Sequence, residues 1–107
     1  MGRRNQPGER ERFIVGVGRY VVEMSGLESI KEKRSLVAKI KDRVANRWNV
    51  SIADVGPQND SDEAIIGVAA VSSDREYLQS VLNSIPNFID ELGVGRVVSE
   101  DFDIQAY

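Results

Sequence analysis

Hydrophobic and polar positions form no regular pattern over the first twelve residues. A regular pattern begins at residue 13. Residues 13–24 read FIVGVGRYVVEM, a run of β-forming residues that predicts a first strand. Residues 29–46 carry apolar side chains at helical spacing, which predicts a long first helix. Ser29 and Glu32 have the spacing of a capping box, a pattern typical of a helix start.

The remaining chain predicts two strands, a second helix and a last strand. Residues 49–55 and 64–71 predict the two strands, and the latter, apolar on both faces, is expected to be central in a sheet. Residues 74–92 predict the second helix. Residues 94–104 predict the last strand.

Four local features refine these predictions. Ser73 and Glu76 have the spacing of a second capping box, and Pro86 predicts a kink or a broken turn in the second helix. Paired glycines in the first strand, Gly16 and Gly18, indicate a close helix approach or a bulge, because a phosphate-binding loop needs a third glycine. The last strand is expected to place four alternating residues on one face: Val98, Glu100, Phe102 and Ile104.

The element order β-α-β-β-α-β restricts the topology. Short connections and right-handed crossovers favour a four-stranded antiparallel sheet with two helices on one face, the ferredoxin-like arrangement of the α+β class. We expect residues 13–107 to form a single domain, since the length suits one core. Residues 1–12 are predicted to be a disordered basic tail.

Composition narrows the chemistry. The chain of 107 residues contains no His and no Cys, which excludes Cys/His zinc sites, Ser-His-Asp triads and Cys-His dyads. We therefore expect no enzyme, no cofactor and no metal. No apolar run approaches the ~18 residues of a membrane span, and no signal-like apolar stretch follows the first arginines, so a cytoplasmic location is expected.

Charge is divided unevenly along the chain. The formal net charge is −3, but residues 1–47 carry a net +6 and residues 48–107 a net −9. Such an asymmetry points to a polyanion or another charged partner. The alternative is that elements of both halves interleave, so that the charges mix on the folded surface.

The first helix holds the candidate nucleic-acid-binding residues. At 100° per residue, Arg34 and Lys41 share one flank of the apolar stripe, whereas Lys33 falls inside the stripe, where the helix is expected to extend beyond the sheet. Clusters of Lys and Arg bind phosphates through counterion release. The alternative is a solvated amphipathic helix whose long side chains shield the core edge. The complete candidate set is Lys31, Lys33, Arg34, Lys41, Arg43 and Arg47.

The sheet face opposite the helices is the second candidate surface. On the third strand it consists of Ile65, Gly67, Ala69 and Val71, without the aromatic rings on which an RNA-recognition sheet stacks bases. Small apolar residues there are typical of a partner or self-association surface, or are simply tolerated by a monomer.

Clustered carboxylates have simpler explanations than catalysis or metal binding. An EF-hand loop needs a glycine and a glutamate at set distances after its first carboxylate, and neither follows Asp60. We interpret Asp60, Asp62 and Glu63 as part of a polar hairpin turn, and Asp101 and Asp103 as solvent-facing.

Three blocks of sequence resemble a known family. Residues 29–34 (SIKEKR) resemble the opening of the first helix in the YlxP-like bacterial proteins, a family of unknown function, and residues 47–55 (RWNVSIADV) and 67–74 (GVAAVSSD) resemble two further blocks in the same order. The resemblance implies a ferredoxin-like domain. It also implies genes located beside those of translation factors, hence an RNA or ribosome connection. Residues 58–63 depart from the family by lacking aromatic and basic side chains, so we expect no RNA contact from this loop.

Two hypotheses follow. The first is a non-enzymatic accessory protein that contacts RNA or a ribonucleoprotein surface through the first helix. The alternative is a homo-oligomeric structural or ligand-sensing domain that associates through the open sheet face.

Overall fold

Two helices cover one face of a four-stranded antiparallel sheet. The computed structural model describes residues 13–57 and 62–107. The strands pair in the order β2-β3-β1-β4, which confirms the predicted ferredoxin-like α+β fold with β3 and β1 central. The predicted tail of residues 1–12 lies outside the described residues. The elements are β1 (Ile14–Glu23), α1 (Ile30–Arg47), β2 (Ser51–Asp54), β3 (Glu63–Ser72), α2 (Arg75–Glu91) and β4 (Arg96–Ala106).

The core lies between the helices and the sheet. Strand side chains alternate between this interior and the open face, so every second residue of β1 and β3 is buried. Helix α1 packs over β2, while α2 packs mainly over β1 and β4. Full burial of one such aliphatic side chain contributes about 1.5–3 kcal/mol. The fully buried aliphatic residues include Val22, Ile40, Val44, Ile66, Leu82, Ile85 and Ile89.

The two helix starts differ in how they are capped. At α1 the predicted N-cap is confirmed, because the Ser29 hydroxyl accepts a hydrogen bond from the Glu32 backbone N–H at 3.1 Å. The Glu32 carboxylate accepts from the N–H of Glu28, one residue before the usual position.

The predicted capping box of Ser73 and Glu76 is wrong, because the N-cap of α2 is Asp74. Its carboxylate accepts from the N–H groups of Glu76 and Tyr77, at 3.0 and 3.3 Å. A carboxylate at this position also interacts favourably with the positive end of the helix dipole.

A β-bulge in β4 makes the predicted face of this strand wrong for Val98. Val21 pairs with Ser99 and Val22 with Val97, so Val98 is an extra residue on β4. Val97 therefore packs against the core, and Val98 is exposed. The predicted alternation holds only beyond the bulge, because one inserted residue reverses which side chains face inward.

Helix α2 continues unbroken through Pro86. A hydrogen bond from the core explains how the helix accommodates the proline. Proline has no backbone N–H, so it cannot donate to the carbonyl of Leu82, four residues earlier. The Tyr20 hydroxyl donates to that carbonyl instead, at 2.8 Å in the buried core. Burial raises the pKa of Tyr20, and the charge of Glu100 raises it further, so this hydroxyl stays protonated as a donor.

The paired glycines of β1 make room for this contact. A Cβ at Gly18 would lie 2.7 Å from the Tyr20 hydroxyl oxygen and 2.8 Å from Cε2, inside contact distance. A Cβ at Gly16 would lie 3.0 Å from Cδ1 of Leu82 on α2. Of the two explanations offered by the sequence, the close approach of a helix is thus confirmed for this strand.

We predict that Tyr20→Phe lowers the free energy of unfolding by about 1–3 kcal/mol, because it leaves the buried Leu82 carbonyl without a donor. In a Pro86→Ala background the same substitution should cost about 1 kcal/mol less, since the alanine N–H supplies the missing hydrogen bond. Urea unfolding of the four proteins measures both values. Equal costs in the two backgrounds would contradict this explanation, and Tyr77→Phe, at an exposed tyrosine, serves as the matched control.

Candidate nucleic-acid interface

Helix α1 directs its basic side chains away from the core. Its apolar stripe, formed by Val37, Ile40 and Val44, is buried, so the opposite surface carries the charges. Within residues 13–57 and 62–107, none of the cations on that surface forms an ion pair within 4.0 Å. These cations are Lys31, Arg34, Lys39, Arg43 and Arg47, which are exposed, and Lys41, which is half-buried.

Arg34 and Lys41 meet at one groove, as their spacing predicts. The groove, of about 340 Å³, lies between α1 and β2, and its walls include Ala38 and Ala53. The small alanine side chains leave space beneath the two cations. Asp54 also lines the groove, and one of its carboxylate oxygens accepts from the N–H of Gly56 at 3.1 Å.

Lys33 does not belong to this surface. It is only 5% exposed, whereas Ile30 at the helix start is exposed. The expected accessibility of Lys33 is therefore wrong: the lysine is buried, although Ile30, Lys31 and Glu32 before it are exposed. Lys33 contributes no accessible charge to a phosphate surface.

The other flank of α1 ends at an aromatic cluster. The Arg47 guanidinium lies over the Trp48 ring, 5.4 Å from its centroid. Trp48 contacts Phe88 of α2 edge-on, with centroids 5.1 Å apart and an interplanar angle of 71°. Arg43 is exposed one turn before Arg47, so the two arginines continue the basic surface toward α2.

The topology separates the acidic edge of β4 from α1, although Asp54 of the acidic half lines the same groove as Arg34 and Lys41. Helix α1 lies over the β2 side of the sheet, and β4 forms the opposite edge. The exposed carboxylates of β4 belong to Glu100, Asp101 and Asp103. The sequence left open whether the charges mix, and in the fold this acidic edge is separated from the basic helix.

The open sheet face is apolar at its centre. Val15 pairs with Val71, and Val17 with Ala69, on the two central strands. Val17 is 47% exposed and Val71 64% exposed. The expected face of small apolar residues is present on β3, without an aromatic ring on that strand.

Sequence analysis missed an aromatic pair at one end of this face. Phe13 and Tyr107 bond to each other through both backbone N–H and C=O groups, which brings the two ends of the domain together. Their rings stack with centroids 5.7 Å apart and an interplanar angle of 22°. The pair was not visible in the sequence because its members are at opposite ends of the domain, and only the β1–β4 register brings them into contact.

Neither a metal site nor a membrane-spanning helix is found in the part of the chain that the structure describes. No group of three or more potential metal ligands is clustered among those residues. Asp101 and Asp103 are exposed, as expected, and Asp60 lies outside the described residues. None of the described helices combines the length and the apolar character that a membrane span requires.

The family resemblance is confirmed by comparison with known proteins. The family model described as a protein of unknown function (DUF503) matches residues 15–102, so the chain belongs to this family. The uncharacterized protein YlxP of Bacillus subtilis (strain 168) is 42% identical over 62 residues, which span 58% of this chain and 67% of that protein.

Solved structures give only weak likenesses. The cofactor-independent oxygenase SnoaB from Streptomyces nogalater is 17% identical, with a TM-score of 0.46 over 87% of this chain and 90% of that chain. The de novo designed protein Foldit4 is also 17% identical, with a TM-score of 0.45 over 91% of this chain and 97% of that chain. Likenesses at this level say nothing about the activity of this chain.

We predict different effects for two neighbouring lysines of α1. Lys33→Ala should lower the free energy of unfolding by about 1 kcal/mol or more, because the buried side chain leaves a void in the first turn. Lys31→Ala, at an exposed position, should change it by less than about 0.5 kcal/mol. Urea unfolding of both variants makes the comparison. Equal, small effects would show that Lys33 is accessible after all.

Proposed function

We propose that this protein is a non-enzymatic, cytoplasmic accessory factor that contacts RNA or a ribonucleoprotein surface through α1. The observation that carries the proposal is the convergence of Arg34 and Lys41 on one groove, on a helix whose charged side chains are mostly basic. The absence of His and Cys from the whole sequence argues against most nucleophilic and acid–base catalysis at neutral pH.

The spacing of the two cations suits a phosphate backbone. Residues seven apart on a helix are separated by about 10 Å along its axis, so Arg34 and Lys41 reach different phosphates of one strand. Each contact adds affinity without reading sequence. The acidic β4 edge repels the rest of the nucleic acid, which orients the molecule with α1 toward the RNA.

The experiment reverses the two charges. Arg34→Glu combined with Lys41→Glu should weaken binding of single-stranded RNA to a similar degree for all sequences. The slope of log affinity against log salt concentration should become shallower by about 0.7 for each lost phosphate contact. Fluorescence anisotropy of labelled oligonucleotides at several salt concentrations gives both quantities.

A matched control separates local contact from net charge. Arg19→Glu combined with Arg96→Glu makes the same change in net charge at two exposed positions outside α1. This control should retain most of the affinity. If both double variants weaken binding equally, or if the unmodified protein binds no RNA at low salt, the proposed function is wrong.

Self-association through the open sheet face is the second candidate, as a structural or ligand-sensing homo-oligomer. It is favoured by the exposed valines of β1 and β3 together with the charges beside them: Arg19 lies directly opposite Asp101 in the β1–β4 register. In a two-fold dimer a patch meets its own copy, so the arginine of each chain can face carboxylates of the other.

Size-exclusion chromatography with light scattering tests this candidate. If the face associates, the protein should elute as a dimer or larger at micromolar concentration, and Val17→Glu with Val71→Glu should convert it to a monomer. Ile30→Glu, at an exposed apolar residue of α1, should leave the mass unchanged. A monomeric mass across a wide concentration range would exclude the candidate.

A further inference from the structure

A second groove lies between the C-terminal end of α1 and the second half of α2. Its volume is about 440 Å³, within the range of about 300–1,000 Å³ typical of small-molecule sites. Its lining combines an aromatic ring, a cation, two amides and a carboxylate. These lining residues include Arg47, Trp48, Asn83, Asn87 and Glu91.

Two amide side chains form one wall. Asn83 and Asn87 are four residues apart on α2, so they occupy the same helix face, and both are exposed. Neither amide is hydrogen-bonded to another of the residues that the structure describes. Each amide offers two donors and an acceptor, which matches the mixed donor and acceptor pattern of a nucleobase edge.

The opposite wall offers the plane of the Arg47 guanidinium for stacking, because this group covers one face of the Trp48 ring. Trp48 is held edge-on by Phe88, and the Arg47 guanidinium lies over the indole ring. Unpaired bases stack on aromatic rings and on arginine guanidinium planes, while an arginine at the rim also contacts the adjoining phosphate. The groove therefore provides contacts for both the face of a base and its edge.

Glu91 biases the choice of base. A carboxylate accepts hydrogen bonds and donates none when ionised, so it favours an edge that carries an exocyclic amino group. Cytosine presents such a group, whereas uracil presents a carbonyl oxygen at the same position. Glu91 thus favours cytosine over uracil.

We propose that this groove binds one unpaired, amino-bearing nucleobase of the RNA whose phosphates contact α1. The inference rests on the proposed function and names the part of the RNA that the groove recognises. Arg47 lines the groove and Arg43 is exposed one turn before it, so a strand whose phosphates contact these two arginines reaches the groove directly.

The position of Trp48 provides a direct readout, because it is the only tryptophan in the chain. Its fluorescence is followed while the full chain is titrated with oligocytidylate, oligouridylate and an abasic oligonucleotide of equal length. Oligocytidylate should change the emission and bind at least about five-fold more tightly than oligouridylate. The abasic oligonucleotide should bind, as anisotropy reports, without changing the emission.

Variants assign the preference to the groove. Glu91→Gln should abolish the preference for oligocytidylate, because an amide both donates and accepts hydrogen bonds. Asn83→Ala with Asn87→Ala should weaken the binding of both oligonucleotides and leave the salt dependence unchanged, because no phosphate contact is lost. Gln79→Ala, at another exposed polar position of α2, should keep the preference.

The outcomes separate this inference from the proposed function. If oligocytidylate and oligouridylate bind with equal affinity, or if Glu91→Gln retains the preference, the groove does not bind a base as proposed, and the proposed phosphate contacts of α1 are unaffected. An unchanged Trp48 emission on binding of oligocytidylate has the same meaning. If no oligonucleotide binds at low salt, both proposals fail together.

Discussion

The hydrogen bond from the Tyr20 hydroxyl to the Leu82 carbonyl joins the middle of the sheet to the middle of α2. It satisfies a carbonyl that Pro86 leaves without its helical donor, and it needs a glycine at position 18 for the ring to pass. An unpaired carbonyl at this depth would cost about 1–3 kcal/mol. Together with the buried aliphatic side chains of α2, this contact fixes the position of α2 on the sheet and of the groove beside Trp48.

Much of the fold follows from periodicity, and its exceptions have local physical causes. Apolar spacing predicted all six elements, and crossover handedness predicted their arrangement. The N-cap of α2 was misassigned because Ser73 and Asp74 are adjacent and the side chain of either can cap a helix. Only the backbone geometry selects between them. The bulge at Val98 was missed because an inserted residue does not interrupt a run of β-forming residues. The contact of Tyr20 with Leu82 joins residues that are 62 positions apart in the sequence, so no local sequence pattern predicts it.

The part of the candidate interface that lies on a single helix could be predicted from the sequence. The seven-residue spacing of Arg34 and Lys41 placed them on one flank, and the fold adds the groove that they share. Burial of Lys33 was not predictable, since it depends on where the sheet ends beneath α1. The asparagines of α2 drew no attention in the sequence, because their chemistry appears only when Trp48 packs beside them. A site that is assembled from two secondary-structure elements can be recognised only in the tertiary structure.

The central claim is that RNA contacts the helical face of the molecule rather than the open sheet. Backbone amide shifts of the isotopically labelled protein, followed by NMR during titration with single-stranded RNA at low salt, test it most directly. We expect the largest changes at residues 34–48, which cover most of α1 and its C-terminal end, and at residues 83–91 of α2, with little change on β1 and β3. Changes confined to the open face of those strands, or no changes at all, would contradict it.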